Sequence, residues 1–182
     1  MSDTEDRFAP EWFNDAVREA LDGNSLHARR REILFAVCFA EAYIVEWALH
    51  DVFRGDMRKF QTYFPHGRRR RSAIDKWREV PDEMHRDGVI PKAPKRRAAY
   101  WQRFQELSEE RDLLVHAVIS RPEDASHEAR ANLTQEPGWA IRTAVDLVWN
   151  LHETLGTNPP DWLKLPQFGA DIESMDRPRR RR

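Results

Sequence analysis

The residues of this chain that are best suited to chemistry occur together in the stretch "ERDLLVHA", which contains Arg111, Asp112 and His116. A histidine titrates near neutral pH and can accept or donate a proton. A permanently charged arginine can stabilise negative charge on a phosphate. Asp112 and His116 are four positions apart, so on a helix they share a face and the carboxylate can orient the imidazole. The spacing predicts acid–base chemistry beside an anionic group.

Arg111 also interrupts an apolar helical stripe. Positions 104, 107, 111, 114 and 118 are spaced for one face of a helix, and the other four are Phe, Leu, Leu and Val. A guanidinium on such a face is costly unless it meets a carboxylate or lines a polar cleft. One interpretation is a cleft flanked by Arg111 and His116, which point about 140° apart on an ideal helix. The other is an interface arginine neutralised by Glu41 or Glu46, beside a surface Asp–His pair. We expect Glu41 to compensate Arg111 or a neighbouring cation.

The hydrophobic pattern predicts helices and no strands. The expected helices cover about residues 10–22, 26–53, 97–121 and 137–155, and a short helix is expected to begin after Ser72 and end near Pro81. The segment from 26 to 53 is apolar nearly all round, which is typical of a central helix covered on most sides. The predicted fold is an all-α bundle of four or five helices.

Length and composition fit one ordinary domain with extensions at its ends. The 182 residues are 34% charged with a net charge of −1, so no overall field attracts nucleic acid or a membrane. We expect an acidic amphipathic helix at 1–25, a helical domain at 26–166 and an Arg-rich, disordered tail at 167–182. The single cysteine, Cys38, excludes an internal disulfide and fits a reducing, cytoplasmic location. The apolar stretch from Ile33 to Leu49 contains Glu41 and Glu46, which argues against a membrane span. No zinc motif is visible, and no metal or cofactor is expected.

Three basic runs stand out against this balanced background. The first two supply Arg68, Arg69, Arg70 and Arg71, and then Arg96 and Arg97; the third is the terminal "RPRRRR". Such runs are most often solvated loops or tails. Their alternative role is sequence-independent, salt-sensitive contact with a nucleic-acid backbone, and the arginines of the first two runs are the candidates for it.

The combination of Arg111, a polar residue directly after it and His116 resembles the motif of HEPN domains. The stretch "WQRFQELSEERDLLVHA" is similar to the helix that carries this motif in the family. "FAEAYIVEWAL" resembles the family's central helix, with Glu41 as its acidic residue. The resemblance covers roughly residues 30–156.

The resemblance implies an all-α, HEPN-like fold and a two-fold dimer with two copies of Arg111, Asp112 and His116 around one cleft. It also implies a metal-independent endoribonuclease of the kind found in toxin–antitoxin, phage-defence and RNA-processing systems. RNA would then be the substrate, and an antitoxin or accessory protein a possible partner. The alternative is a non-catalytic helical module that dimerises, binds a partner protein or binds nucleic acid, because such members of the family also exist.

Overall fold

The chain folds into helices in every region that the structure describes. The structure is a computed structural model, and it describes residues 7–22, 25–65, 71–94, 99–120 and 136–166, with the backbone alone for 116–120. These ranges contain six α-helices and no strand: α1 (Phe8–Asp22), α2 (Leu26–Glu46), α3 (Met57–Tyr63), α4 (Ala73–Arg86), α5 (Ala99–Ser120) and α6 (Trp139–Leu155). The all-α prediction is confirmed. The predicted count of four or five helices was too low, because the seven-residue α3 is too short to show a helical hydrophobic pattern.

Helix α2 is the centre of the fold and contacts α1, α4, α5 and α6. It begins at Ser25, whose side chain accepts a hydrogen bond from the Ala28 N–H at 3.0 Å. It continues without a break into a π-helical turn, Trp47–Val52. Gly55 then adopts a φ of +80°, which glycine tolerates readily, and the chain turns into α3. The prediction of a central helix covered on most sides agrees with these contacts.

The continuous helix Leu26–Val52 is long and apolar enough to cross a membrane, judged by its length and composition. Half of its most apolar window is buried inside the protein. The core helix of a globular domain has the same composition, since it is covered by other helices instead of lipid.

Two carboxylates of α2 bind the first turns of other helices. Glu46 Oε1 accepts hydrogen bonds from the N–H groups of Phe8 at 2.7 Å and Ala9 at 3.0 Å, at the start of α1. The first N–H groups of a helix have no partner within it, and the helix dipole favours a negative charge there. Glu46 therefore fixes the start of α1 against the end of α2.

Glu32 does the same for α6 and is almost completely buried. Its carboxylate accepts hydrogen bonds from the N–H groups of Gly138 at 3.1 Å, Ala140 at 3.0 Å and Ile141 at 3.3 Å. Gly138, the residue directly before α6, has no side chain to cap the helix. Glu32 thus supplies from α2 the cap that the local sequence of α6 lacks.

An aromatic cluster joins α1 to α2 and to the segment after α6. Phe13 of α1 lies 5.5 Å from Phe39 of α2 and 5.7 Å from Trp162, measured between ring centroids. Trp162 also contacts Tyr43 of α2 at 6.2 Å. Helix α1 therefore contributes to the same hydrophobic core as the remaining helices. The domain boundary proposed at residue 25 stays a prediction.

Helix α4 corrects one prediction about helix ends. Ser72 caps α4 as expected, because its hydroxyl accepts from the Asp75 N–H at 3.1 Å. Pro81, however, lies inside the helix, which continues to Arg86. A proline inside a helix removes one backbone hydrogen bond. Here Trp77, Val80, Pro81 and Met84 are all buried against the core, and this packing outweighs the lost bond.

Candidate functional site

Arg111 and Asp112 form an ion pair on the second half of α5. Arg111 Nη1 lies 2.6 Å from Asp112 Oδ1, and 34% of the Arg111 side chain and 55% of the Asp112 side chain are exposed. Leu107 and Leu114, which share the stripe with Arg111, are buried. The guanidinium is therefore anchored above the core and still reaches solvent. The acid that binds it directly is its neighbour in sequence.

The side chain of His116 lies outside the described residues, although position 116 belongs to α5. The contact between Asp112 and His116 stays a prediction. In the structure the Asp112 carboxylate accepts a hydrogen bond from Arg111. A carboxylate has two oxygens and can accept from more than one donor, so this bond leaves acceptor positions for an imidazole.

Arg111 lies within electrostatic range of Cys38 on α2. Burial raises the pKa of the Cys38 thiol, the nearby Glu41 carboxylate raises it further, and the positive charge of Arg111 lowers it. The thiol therefore stays protonated at neutral pH, which is unfavourable for a nucleophile. Cys38, Glu41 and Arg111 together form one neighbourhood at the α2–α5 contact.

Glu41, predicted to support Arg111 or a neighbouring cation, forms an ion pair with Lys76 of α4. The Lys76 side chain is 18% exposed and the Glu41 side chain 35% exposed, so the pair is partly shielded from water. The neighbouring cation is thus Lys76, and the pair ties α4 to α2.

Only one of the arginines predicted to contact nucleic acid, Arg71, lies in the described residues. Its guanidinium already binds a carboxylate. Arg71 Nη2 donates to both oxygens of Glu83 at 2.8 Å, and its Nη1 donates to the Tyr63 carbonyl at 3.2 Å. A phosphate bound by Arg71 would have to displace this carboxylate. Positions 68–70, 96 and 97, and the terminal run, lie outside the described residues.

A cleft that the sequence did not indicate opens beside Glu32, at the start of α6. It is lined by Arg29, Glu32, Glu110 and Glu136 with the ring of Trp139. Burial, with a smaller contribution from the like charge of Glu106 one turn away, raises the pKa of Glu110 to about 7. The spacing of the two glutamates is visible in the sequence, but the burial of Glu110 depends on the packing of α5 against α2 and α6.

A buried polar network between α2 and α6 was also missed. Tyr43 Oη and His152 Nε2 are 2.6 Å apart, and His152 Nδ1 lies 2.8 Å from Thr157 Oγ1. Burial lowers the pKa of His152, although the charge of Asp51 opposes this shift, and burial raises the pKa of Tyr43. The histidine is therefore neutral at pH 7 and serves the core. Tyr43 and His152 are 109 positions apart, so no local pattern could link them.

Histidine, cysteine and carboxylate side chains do not gather into a metal-binding group of three or more within the described part of the chain. What the candidate site offers from described residues is a half-buried guanidinium, an acceptor carboxylate and a protonated thiol. Of these groups, the guanidinium can bind and stabilise an anion. Proton transfer would have to come from a further residue.

Comparisons of this chain with protein-family models, with curated proteins and with solved structures find no match.

Proposed function

We propose that this protein is a metal-independent endoribonuclease that acts in the cytoplasm as a HEPN-like toxin or phage-defence effector. Its catalytic residues are Arg111 and His116, with Asp112 as the residue that orients them. The observation that carries the proposal is the position of Arg111. Its guanidinium is held 2.6 Å from Asp112 on α5, stays one-third exposed, and occurs five positions before a histidine on one continuous helix.

The reaction uses the nucleophile that RNA itself carries. The 2′-oxygen attacks the adjacent phosphorus while a histidine accepts its proton. The bond from phosphorus to the 5′-oxygen then breaks, and that oxygen receives a proton. The products are a 2′,3′-cyclic phosphate and a 5′-hydroxyl. Arg111 stabilises the extra negative charge on the phosphate oxygens, and its planar guanidinium can donate two parallel hydrogen bonds to them.

Two copies of the chain complete this chemistry. One histidine supplies one proton-transfer group, whereas the reaction needs a base and an acid at the same time. A two-fold dimer brings a second histidine to the same cleft. Val115, one turn after Arg111 on the same face of α5, is 37% exposed, and an exposed apolar side chain at this position favours a protein contact there.

The test is cleavage of single-stranded RNA by the purified protein in the presence of EDTA. We expect RNA to be cut to cyclic phosphate and 5′-hydroxyl ends and DNA to remain intact, because DNA lacks the 2′-hydroxyl. His116→Ala should reduce the rate by about 10²–10⁴-fold, since it removes the proton-transfer group. Arg111→Ala should have a comparable effect, and Arg111→Lys should restore little because an ammonium lacks the planar fork. Asp112→Asn should be milder.

Arg103→Ala is the matched control for Arg111→Ala. Arg103 is also on α5 and is also paired with an aspartate, Asp146, at 2.9 Å, but it lies two turns before the motif. Its loss should leave the cleavage rate unchanged. RNA cleavage that survives both His116→Ala and Arg111→Ala, or that requires a divalent metal, would place the active site elsewhere.

The exposed Val115 side chain also favours a second function, that of a non-catalytic module that binds a partner protein through this face of α5. For such a module we expect that the folded protein cleaves no RNA and that Val115→Asp abolishes the association without changing the fold. Measuring the oligomeric state and the RNase activity of one preparation separates the two functions.

A further inference from the structure

One arginine at the edge of α2 binds no other residue within the described part of the chain. Arg30 is partly buried, and its Nε atom is shielded from water without a hydrogen-bond acceptor. Its terminal nitrogens likewise form no hydrogen bond or ion pair with a described residue. A buried N–H without an acceptor destabilises a folded protein, and an unbranched apolar side chain would cover the same surface without that loss. The stability of the fold therefore does not explain an arginine at this position.

Arg30 belongs to the edge of α2 that leads toward Arg111. Positions 30, 34, 38 and 41 have the spacing of one helical stripe, and all four are partly buried: Arg30, Leu34, Cys38 and Glu41. Cys38 lies within electrostatic range of Arg111. The stripe thus connects the Arg30 guanidinium with the neighbourhood of the proposed RNase site.

Helix α5 runs antiparallel to α2. In the second half of α2, the Ala40 carbonyl accepts a hydrogen bond from Trp77, whose ring contacts Phe104 in the first half of α5. Near the start of α2, Arg29 shares a cleft with Glu110 in the second half of α5. The start of α2 therefore lies against the half of α5 that carries the proposed catalytic motif.

This antiparallel arrangement puts Arg30 close to the level of His116. Arg30 is eight positions before Cys38, which corresponds to about 12 Å along α2. His116 is five positions after Arg111, which corresponds to about 7.5 Å along α5 in the same direction. The two positions differ by about one helical turn in level, so one nucleic-acid strand can contact both.

We propose that Arg30 binds a phosphate of the RNA strand that Arg111 and His116 cleave, next to the scissile phosphate. This assignment rests on the proposed RNase function. A guanidinium donates parallel hydrogen bonds to two phosphate oxygens. As the side chain turns toward the strand, its Nε–H leaves the buried position and gains access to an acceptor. Unlike Arg71, whose guanidinium binds Glu83, Arg30 can bind a phosphate without displacing a carboxylate of a described residue.

The test measures binding without cleavage. Fluorescence anisotropy of a 2′-O-methylated oligouridylate with the full-length protein serves this purpose, because methylation blocks the nucleophile. Arg30→Met should weaken binding about 10-fold at low salt, as expected for one charge-assisted contact. It should also reduce the slope of log affinity against log salt by about 0.7, the value for one phosphate on a single strand. The melting temperature should be equal or higher, since a buried N–H without an acceptor is removed.

Arg31→Met is the matched control. It removes the same charge one position later, from a guanidinium that is paired with Glu19 at 2.8 Å and points about 100° away around α2. Its affinity and salt slope should equal those of the wild-type protein. Equal losses for the two variants would overturn the proposal, because general attraction by positive charge then explains both. If Arg30→Met fails to fold, Arg30→Lys should keep the slope and lose affinity, since an ammonium lacks the planar fork; full affinity would contradict the proposal.

Inorganic phosphate tests whether the ligand is a strand or a free anion. It should bind far more weakly than the oligonucleotide, and equal affinities that both depend on Arg30 would refute the strand.

Cleavage of unmodified RNA separates this proposal from the RNase proposal. Arg30→Met should raise KM about 10-fold and leave kcat unchanged, because the phosphate that it binds is not the reacting one. RNA cleavage with a KM and a binding affinity that ignore Arg30→Met would overturn the Arg30 site alone. Binding that depends on Arg30 in a protein that cleaves no RNA would remove the RNase proposal alone.

Discussion

Replacing Glu32 with alanine removes the cap that α2 supplies to α6, and its cost can be worked out from the structure. Three backbone N–H groups, those of Gly138, Ala140 and Ile141, lose their acceptor. Each lost bond costs about 1 kcal/mol when water can partly replace it, as the open cleft beside Glu32 allows. The expected loss in the free energy of unfolding is about 3 kcal/mol. For a chain of this size this lowers the melting temperature by about 6–12 °C.

The pH dependence of this loss has a defined sign. Burial raises the pKa of Glu32 above its ordinary value of 4.5, and the three hydrogen bonds oppose this shift only in part. Between 4.5 and the raised pKa, the folded protein keeps a proton that the unfolded chain has released. The contribution of Glu32 to stability is therefore complete below pH 4.5 and declines as the pH rises through the folded pKa. Glu32→Ala should cost most in mild acid and less at pH 8.

Urea denaturation of wild-type protein and variants, followed by circular dichroism across this pH range, measures both effects. Hydrogen exchange of the Ala140 and Ile141 amides reports the local opening of α6. Glu32→Gln keeps one acceptor oxygen and should cost about 1 kcal/mol without the pH dependence. Glu46→Ala, which uncaps two N–H groups of α1 at a more accessible site, is the control and should cost about 1 kcal/mol. A loss for Glu32→Ala that grows with pH would refute the argument from burial, and a loss under 1 kcal/mol would refute the role as a cap.

Three further predictions concern α4 and α5. A double-mutant cycle on Glu41 and Lys76 should give a coupling of about 1 kcal/mol in urea denaturation, because the pair is partly shielded from water; no coupling would contradict the ion pair. Trp77→Phe should lower the free energy of unfolding by about 1 kcal/mol in the same assay, since it removes the hydrogen bond from the indole N–H to α2. An unchanged stability would show that this bond contributes nothing. Carboxyl NMR should titrate Glu110 at about pH 7. Glu106→Gln should lower that midpoint but leave it above the ordinary value, because burial is the larger cause; a midpoint that does not move would exclude the like charge as a contributor.

The sequence predicted those parts of the fold that depend on local pattern. The helical periods placed α5 and α6 within two residues of their observed ends, and the all-round apolar character of α2 identified the central helix. Pro81 misled the prediction, because a local rule stops a helix at a proline and only the packing of its neighbours shows that the helix continues.

The candidate site was predictable to the same extent. The apolar stripe identified Arg111 as a charged residue above the core, and the structure finds it half-buried. Glu41 was expected to compensate Arg111 or a neighbouring cation, and the structure pairs it with Lys76. The sequence could not name Lys76, because nothing in it shows that α4 lies against α2. Glu32 and His152 were not recognised at all. Their importance comes from groups on distant helices, and a single sequence does not reveal which helices meet.

The bonds between α2 and α6 have a consequence for synthesis on the ribosome. Glu32 and Tyr43 find their partners more than one hundred residues later in the chain, at the start and the end of α6. When α2 leaves the exit tunnel, its buried carboxylate and its apolar face have no α6 to cover them, and they must wait until α6 has been translated. The nascent chain therefore exposes apolar surface for most of its synthesis. We expect it to bind chaperones during that time. Folding of the complete domain is therefore a late step. Its timing depends on when α6 has been synthesised and not on how fast single helices form.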